Sequence, residues 1–196
     1  MKKPHSIALA LAACLACTVA GVHAQPVELE GVKLEATSPA GSTTLTLNGV
    51  GLRTRAFFKV YVAGLYLPQK STDAQAVLAQ KGPRRVVITM LRNVDAETFA
   101  NALNDGLRDN HTEAQLAAFK AQMATLNLNL KLAGEAKKGD VIQLEYLPEL
   151  GTRVLVNRQV VGSPMAGDDF FTALLRIWLG DKPVDSGLKK GLLGGG

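Results

Sequence analysis

Two arginines and a tyrosine fall close together in one short stretch. Arg53 and Arg55 follow the glycine pair of Gly49-Val50-Gly51-Leu52, and Tyr61 stands a little further on, inside an almost wholly apolar run. A guanidinium is permanently charged and presents paired N–H donors to a carboxylate, and a phenol adds one more hydrogen bond. Both residue types also have ordinary roles. An arginine near a loop is usually solvated, and a tyrosine in an apolar strand usually packs in the core with its hydroxyl satisfied. Thr89, on a later apolar segment, is one further polar group for such a site. Phe99 begins a stripe of helical spacing that reads mainly as core, with a place on a cavity wall as its other use.

Histidine and cysteine set limits by their scarcity. The chain of 196 residues has three histidines and two cysteines, and of these only His111 lies beyond residue 24. His111, in the turn Asp109-Asn110-His111-Thr112, reads as a solvated turn residue. Without a second histidine or any cysteine, zinc sites and Ser-His or Cys-His nucleophilic chemistry lack their parts. No metal and no cofactor are expected.

The reason for the cut at residue 24 is the N-terminus. Lys2 and Lys3 form a positive start, Ile7 to Gly21 a short Ala/Leu-rich apolar stretch, and Val22 and Ala24 sit three and one residues before Gln25. That is the pattern of a cleavable secretory signal over 1–24. The apolar stretch is shorter than the roughly 20 residues of a spanning helix. Cleavage there is favoured over an uncleaved anchor and over a lipid-modified Cys14 in Leu11-Ala12-Ala13-Cys14. The expectation is export across the inner membrane, to the periplasm, with no span left after cleavage. Loss of Lys2 and Lys3 takes the formal charge from +5 to +3. The remaining basic residues are scattered, so nucleic acid is not an expected partner. One domain over 25–193 is expected, with a tail at 194–196 that should fray.

The elements that must position the candidate residues follow from periodicity. Val27 to Leu34 nearly alternates, with a slip at Gly31 that predicts a bulged or bent strand. Ser38 to Ser42 is a turn cluster, Leu45 and Leu47 alternate in a second strand, and Asn48-Gly49 signals a hairpin or loop. Ala56 to Leu67 is too short and too uniformly apolar for a helix and reads as a strand covered on both sides. A short helix over Ser71 to Gln80 precedes a strand from Arg84 to Leu91. Asp95 caps a helix bearing Phe99, Leu103 and Leu107, and Thr112 with Gln115 opens another bearing Leu116, Phe119, Met123 and Leu126. Strands at Asp140 to Leu147 and Arg153 to Val161, the latter with a tight turn at Asn157-Arg158, lead to helices after Gly167 and Asp185. Asp168-Asp169 and Glu145/Glu149 read as capping and solvated-face carboxylates. Regular βα alternation is lacking, so the fold class is α+β: an antiparallel sheet with helices over one face, able to enclose a pocket between the layers.

This order brings a resemblance into view. Gly49 through Tyr66 (GVGLRTRAFFKVYVAGLY) resembles the first core motif of the chalcone isomerase superfamily. Arg84 to Leu91 with the helix after Asp95 resembles its next strand and helix, and Gly151 to Asn157 through Phe170 to Asp185 its closing hairpin and helix. The resemblance spans Thr44 to Leu193 and implies an open-faced β-sandwich. Plant members that cyclise chalcones carry an arginine, a strand threonine, and a Tyr and Asn on the following helix. Plastid relatives that bind fatty acids hold the carboxylate with an arginine and a tyrosine at the threonine position. Tyr61 falls at that position, and Arg53 or Arg55 is the arginine. Phe99 and Gly106 fall where the cyclases carry Tyr and Asn.

The resemblance therefore implies a non-catalytic binding protein for a fatty acid or similar amphipathic molecule, its head at Arg53 and Tyr61. Two alternatives stay open: an intramolecular lyase of the isomerase type, and an envelope protein whose interior is closed by side chains.

Overall fold

Alternating Leu45 and Leu47, followed by the glycine-rich segment, form the longest strand in a computed structural model that describes residues 25–195. The expected signal over 1–24 lies outside the described residues. This strand, β4 (Thr43–Arg55), belongs to a seven-stranded sheet in which every neighbouring pair is antiparallel and the spatial order is the chain order. Its strands are β3 (Thr37–Ala40), β4, β5 (Phe58–Leu67), β6 (Arg84–Met90), β7 (Val141–Leu147), β8 (Gly151–Val156) and β9 (Gln159–Met165). A separate hairpin joins β1 (Val27–Leu29) to β2 (Val32–Leu34). Helix α1 (Ala74–Ala79) links β5 to β6, and α2 (Ala96–Asp109), α3 (Glu113–Ala118) and α4 (Lys120–Ala133) link β6 to β7. Helices α5 (Asp168–Leu179) and α6 (Ser186–Leu192) close the chain.

The uniformly apolar run of β5 is explained by two cores. Its residues Ala63, Leu65 and Leu67 join Ile88, Leu144, Phe99, Leu103, Phe170, Leu174 and Trp178 beneath the helices. Val62 and Tyr66, on the opposite face, join Leu34, Leu45, Leu47 and Leu147 beneath the β1–β2 hairpin. The Tyr66 hydroxyl donates to the Glu35 carbonyl at 2.9 Å and ties that hairpin down. A large antiparallel sheet with helices over one face is the α+β arrangement that the patterning predicts, and the small hairpin on the other face makes it the open-faced β-sandwich that the resemblance implies.

Several local expectations are corrected. Val27 to Leu34 is not one bent strand but two, turned through Glu30 and Gly31, both left-handed at φ 52° and 74°. Ser38, Pro39 and Ala40 are not a turn but part of an edge strand, where proline is tolerated. Asn48-Gly49 does not end β4; it is a bulge within it, between Leu47 and Gly49. The hairpin turn lies instead at Ala56-Phe57, with Ala56 at φ 53°. The long stripe after Thr112 breaks at Phe119, whose ring packs 5.7 Å from that of Phe170 and draws the chain toward the core. Glu145 is not on a solvated face: it is buried, accepts from Arg85 Nε at 3.0 Å and Arg153 Nε at 3.1 Å, and forms an ion triad with them. Asp168 likewise pairs with the fully buried Arg84, whose guanidinium lies over the Tyr146 and Phe171 rings.

Candidate functional site

Strand ends and a helix shape the site. Where β4 and β5 approach their turn, they leave a cavity of about 690 Å³ between themselves, β6, α2 and the segment Pro183-Val184 that precedes α6. Val60, Ile88, Val94, Phe99, Leu103 and Ile177 form much of its wall. Both its size and its mainly apolar wall suit a small molecule.

Arg53 and Tyr61 face each other across the β4–β5 ladder, so both side chains stand on the helix-covered face, and both line the cavity. A register shift between Arg53 and Thr54 falls at this point, the kind of irregularity that re-aims a side chain at a sheet margin. The Tyr61 hydroxyl is buried and accepts a hydrogen bond from Trp178 Nε1 at 2.9 Å. Burial pushes its pKa up to about 12, against the Trp178 hydrogen bond and the Arg53 charge, which lower it. An indole nitrogen can only donate, so the phenol oxygen is the acceptor of that bond and its own proton remains available to a second partner.

Arg53 is held from the α6 side. A Cβ at Gly51 would stand 2.7 Å from the Leu188 carbonyl oxygen, and one at Gly49 would stand 2.6 Å from the Leu192 carbonyl oxygen and closer still to that of Gly191. The glycine pair therefore lets α6 lie flush on β4. Asn48, in the bulge, fastens the far end by donating to the Leu192 carbonyl at 2.7 Å. Gly194 (φ 76°) and Gly195 close α6 with hydrogen bonds to the carbonyls of Gly191 and Lys190. At the near end, the cap residue Asp185 accepts from Thr54 N and Thr54 Oγ1, each at 3.1 Å, and sits 3.5 Å from Arg53 Nη1. Burial raises the Asp185 pKa, but the Leu188 and Thr54 N–H groups, the Thr54 hydroxyl and the Arg53 charge outweigh it and hold the carboxyl below its ordinary value. Arg53 Nη1 also donates to the Thr54 carbonyl at 2.5 Å. Its hydrogen bonds among the described residues all run through Nη1, leaving the Nη2 and Nε edge for a ligand.

Of the other candidates, Arg55 is exposed at the cavity rim and Phe99 is buried in the wall. Thr89 does not join them. It pairs with Val62, on the sheet face that packs beneath the β1–β2 hairpin, and is absent from the cavity lining. Three participants lacked a sequence signal. Trp178 sits on an apolar stripe with nothing to link it to Tyr61, Asp185 has the look of a simple cap, and Arg92 merely follows a strand. Arg92 lines the rim, its guanidinium 4.8 Å from the centre of the Phe58 ring. Among the described residues, no group of three or more His, Cys, Asp or Glu side chains is placed to hold a metal ion.

The model of the family described as chalcone isomerase-like matches residues 26–194. The chain belongs to that family. Among solved structures, a fatty-acid binding protein of Arabidopsis thaliana is similar to this chalcone isomerase-like chain with a TM-score of 0.64 and 15% identity. The match covers 86% of this chain and 96% of that one, and it bears on the fold alone. No curated protein sequence matches. Within the family frame, Gly106 acquires a physical explanation. A Cβ there would meet Ile177 Cγ2 at 2.7 Å, so α2 and α5 touch where the cyclases are expected to carry an asparagine.

Proposed function

We propose that this chalcone isomerase-like protein binds an amphipathic acid of the fatty-acid class, without transforming it, in the cavity between sheet and helices. One observation carries this reading: Arg53 and Tyr61, cross-strand partners, both line a single, mainly apolar cavity. The free edge of the Arg53 guanidinium offers a bidentate grip on a carboxylate. The phenol, whose oxygen accepts from Trp178, has its own proton left to donate as the second contact. The apolar wall receives the tail. That the Arabidopsis protein of the same fold is a fatty-acid binding protein supports binding.

The same residues weigh against the two alternatives. Cyclisation would need an oxygen-stabilising network on α2, whereas Phe99 offers no donor and Gly106 has no space for an amide. A closed structural interior would leave no cavity of this size. Export to the periplasm, as read from residues 1–24, remains part of the proposal.

The test is calorimetric titration of a C16 or C18 acid into the protein, its Arg53→Ala variant and its Tyr61→Phe variant. The expected result is binding by the parent with a loss of about tenfold or more in each variant, since charged hydrogen bonds contribute on the order of 1.5–3 kcal/mol. Equal affinity in all three would remove Arg53 and Tyr61 from the site.

A further inference from the structure

The β4–β5 turn places an aromatic side chain where no fold requires one. Phe57, at the hairpin tip, is 100% exposed, and the adjoining Phe58 is 60% exposed. Tip residues Thr54 to Lys59 are all exposed, and no acidic residue occurs in the sequence from Ala36 to Thr72. The charges at the tip are cationic: Arg55 and Lys59 on the hairpin and Arg92 beside it, its guanidinium over the Phe58 ring. Lys59 is paired with Glu30 at 2.6 Å, whereas Arg55 and Arg92 have no carboxylate partner among the described residues. This tip also borders the cavity, because Arg55, Ala56, Phe58 and Arg92 all line it; the exposed carboxylates that line it, Asp95, Asp105 and Asp109, belong to α2 and its cap and not to the tip.

We infer that the β4–β5 tip is a membrane-docking finger that seats the cavity mouth on an anionic lipid bilayer. A fully exposed aromatic ring flanked by guanidinium groups matches the bilayer interface, where the ring sits at headgroup depth and cations meet anionic phosphate. Charge complementarity selects an anionic surface over a neutral one. Docking in this orientation brings the opening to the level where an amphipathic acid lies in the membrane, so its tail passes between bilayer and cavity without crossing water. The inference rests on the acid-binding reading for what is exchanged. The contact with the bilayer stands on the tip alone.

The experiment is co-sedimentation of the protein, as recovered from its producing cell, with vesicles of 70% phosphatidylethanolamine and 30% phosphatidylglycerol, and with phosphatidylcholine vesicles. Binding is expected to the anionic vesicles, weakened by salt as the Debye length contracts. Phe57→Ser should reduce partitioning by roughly tenfold, in line with the loss of one buried aromatic contact. Arg55→Ala with Arg92→Ala should reduce it on anionic vesicles only. Leu128→Ser, at an exposed leucine on α4 outside the cavity lining, should leave it unchanged. Phe57 contacts nothing that folding needs, so an unaltered Tm confirms that the variant is folded.

Absence of vesicle binding, or equal binding by Phe57→Ser, would overturn the inference, as would a Phe57-dependent protein complex in place of vesicle binding. Acid retention is followed in the same samples by mass spectrometry. Retained acid without vesicle binding overturns only the docking finger. Phe57-dependent vesicle binding without any acid supports the finger and removes the acid-binding reading.

Discussion

Tyr61 is oriented by what lies behind it. Trp178 Nε1 occupies the phenol oxygen at 2.9 Å, and that fixes the direction in which the hydroxyl proton is offered. Tyr61→Phe leaves the indole N–H buried without an acceptor, a cost of about 1–3 kcal/mol. Denaturant melts should show that loss for Tyr61→Phe and a smaller further loss when Trp178→Phe is added, because the second change removes the stranded donor. Additive losses would mean the two groups are not coupled. Asp185 makes a pH prediction. Its folded pKa lies below the ordinary 3.8, so its contribution to stability is complete above that value and is lost as pH falls through the folded pKa. Thermal melts between pH 5 and pH 2 should therefore decline less steeply in Asp185→Asn than in the parent. An identical slope would show that the Thr54 and Leu188 hydrogen bonds do not favour the charged form.

At the scale of elements, the glycine-rich motif has a structural purpose before a functional one. Gly49 and Gly51 remove the side chains that would hold α6 off β4, and α6 in turn carries Asp185 to Arg53. Gly51→Val should displace α6 and destabilise the fold by roughly 1–3 kcal/mol, measured by urea unfolding, and should weaken acid binding as Arg53 loses its anchor. Unchanged stability would mean that α6 does not bear on β4. At the far end of the sheet, Glu145→Ala would strand Arg85 and Arg153 together, with an expected cost of about 3–5 kcal/mol by the same method. A loss under about 1 kcal/mol, the range of exposed pairs, would mean that water already reaches the triad.

The same elements show what was legible in the sequence. Periodicity locates β5 to β8, α2, the capping box and the Asn157-Arg158 turn, because each depends on residues close in the chain. Glu145 has the local look of a solvated carboxylate because its burial comes from β6 and β8 on either side and from the strand holding Ser38, contacts distant in sequence. Asn48-Gly49 has the composition of a turn but is overridden by pairing on both sides of it. The site was partly legible. Arg53, Arg55, Tyr61 and Phe99 do meet at one cavity, while Thr89 falls on the wrong face by the one-residue parity of β6. Trp178, Asp185 and Arg92 reach the site from elements far along the chain, and no local pattern marks them.

For the whole molecule, the division of labour follows the two faces of the sheet. One face is partly covered by the β1–β2 hairpin, and the other carries the helices, which leave the cavity of about 690 Å³ at the β4–β5 end. Arg53 and Tyr61, cross-strand partners on that cavity with an apolar wall beside them, are the physical basis for proposing an acid binder. The most direct test is native mass spectrometry of the protein recovered from its producing cell, alongside its Arg53→Ala/Tyr61→Phe double variant. Acid binding requires a bound amphipathic acid of the fatty-acid class on the parent and its absence from the variant. A parent free of such a ligand and without affinity for added long-chain acids would contradict it.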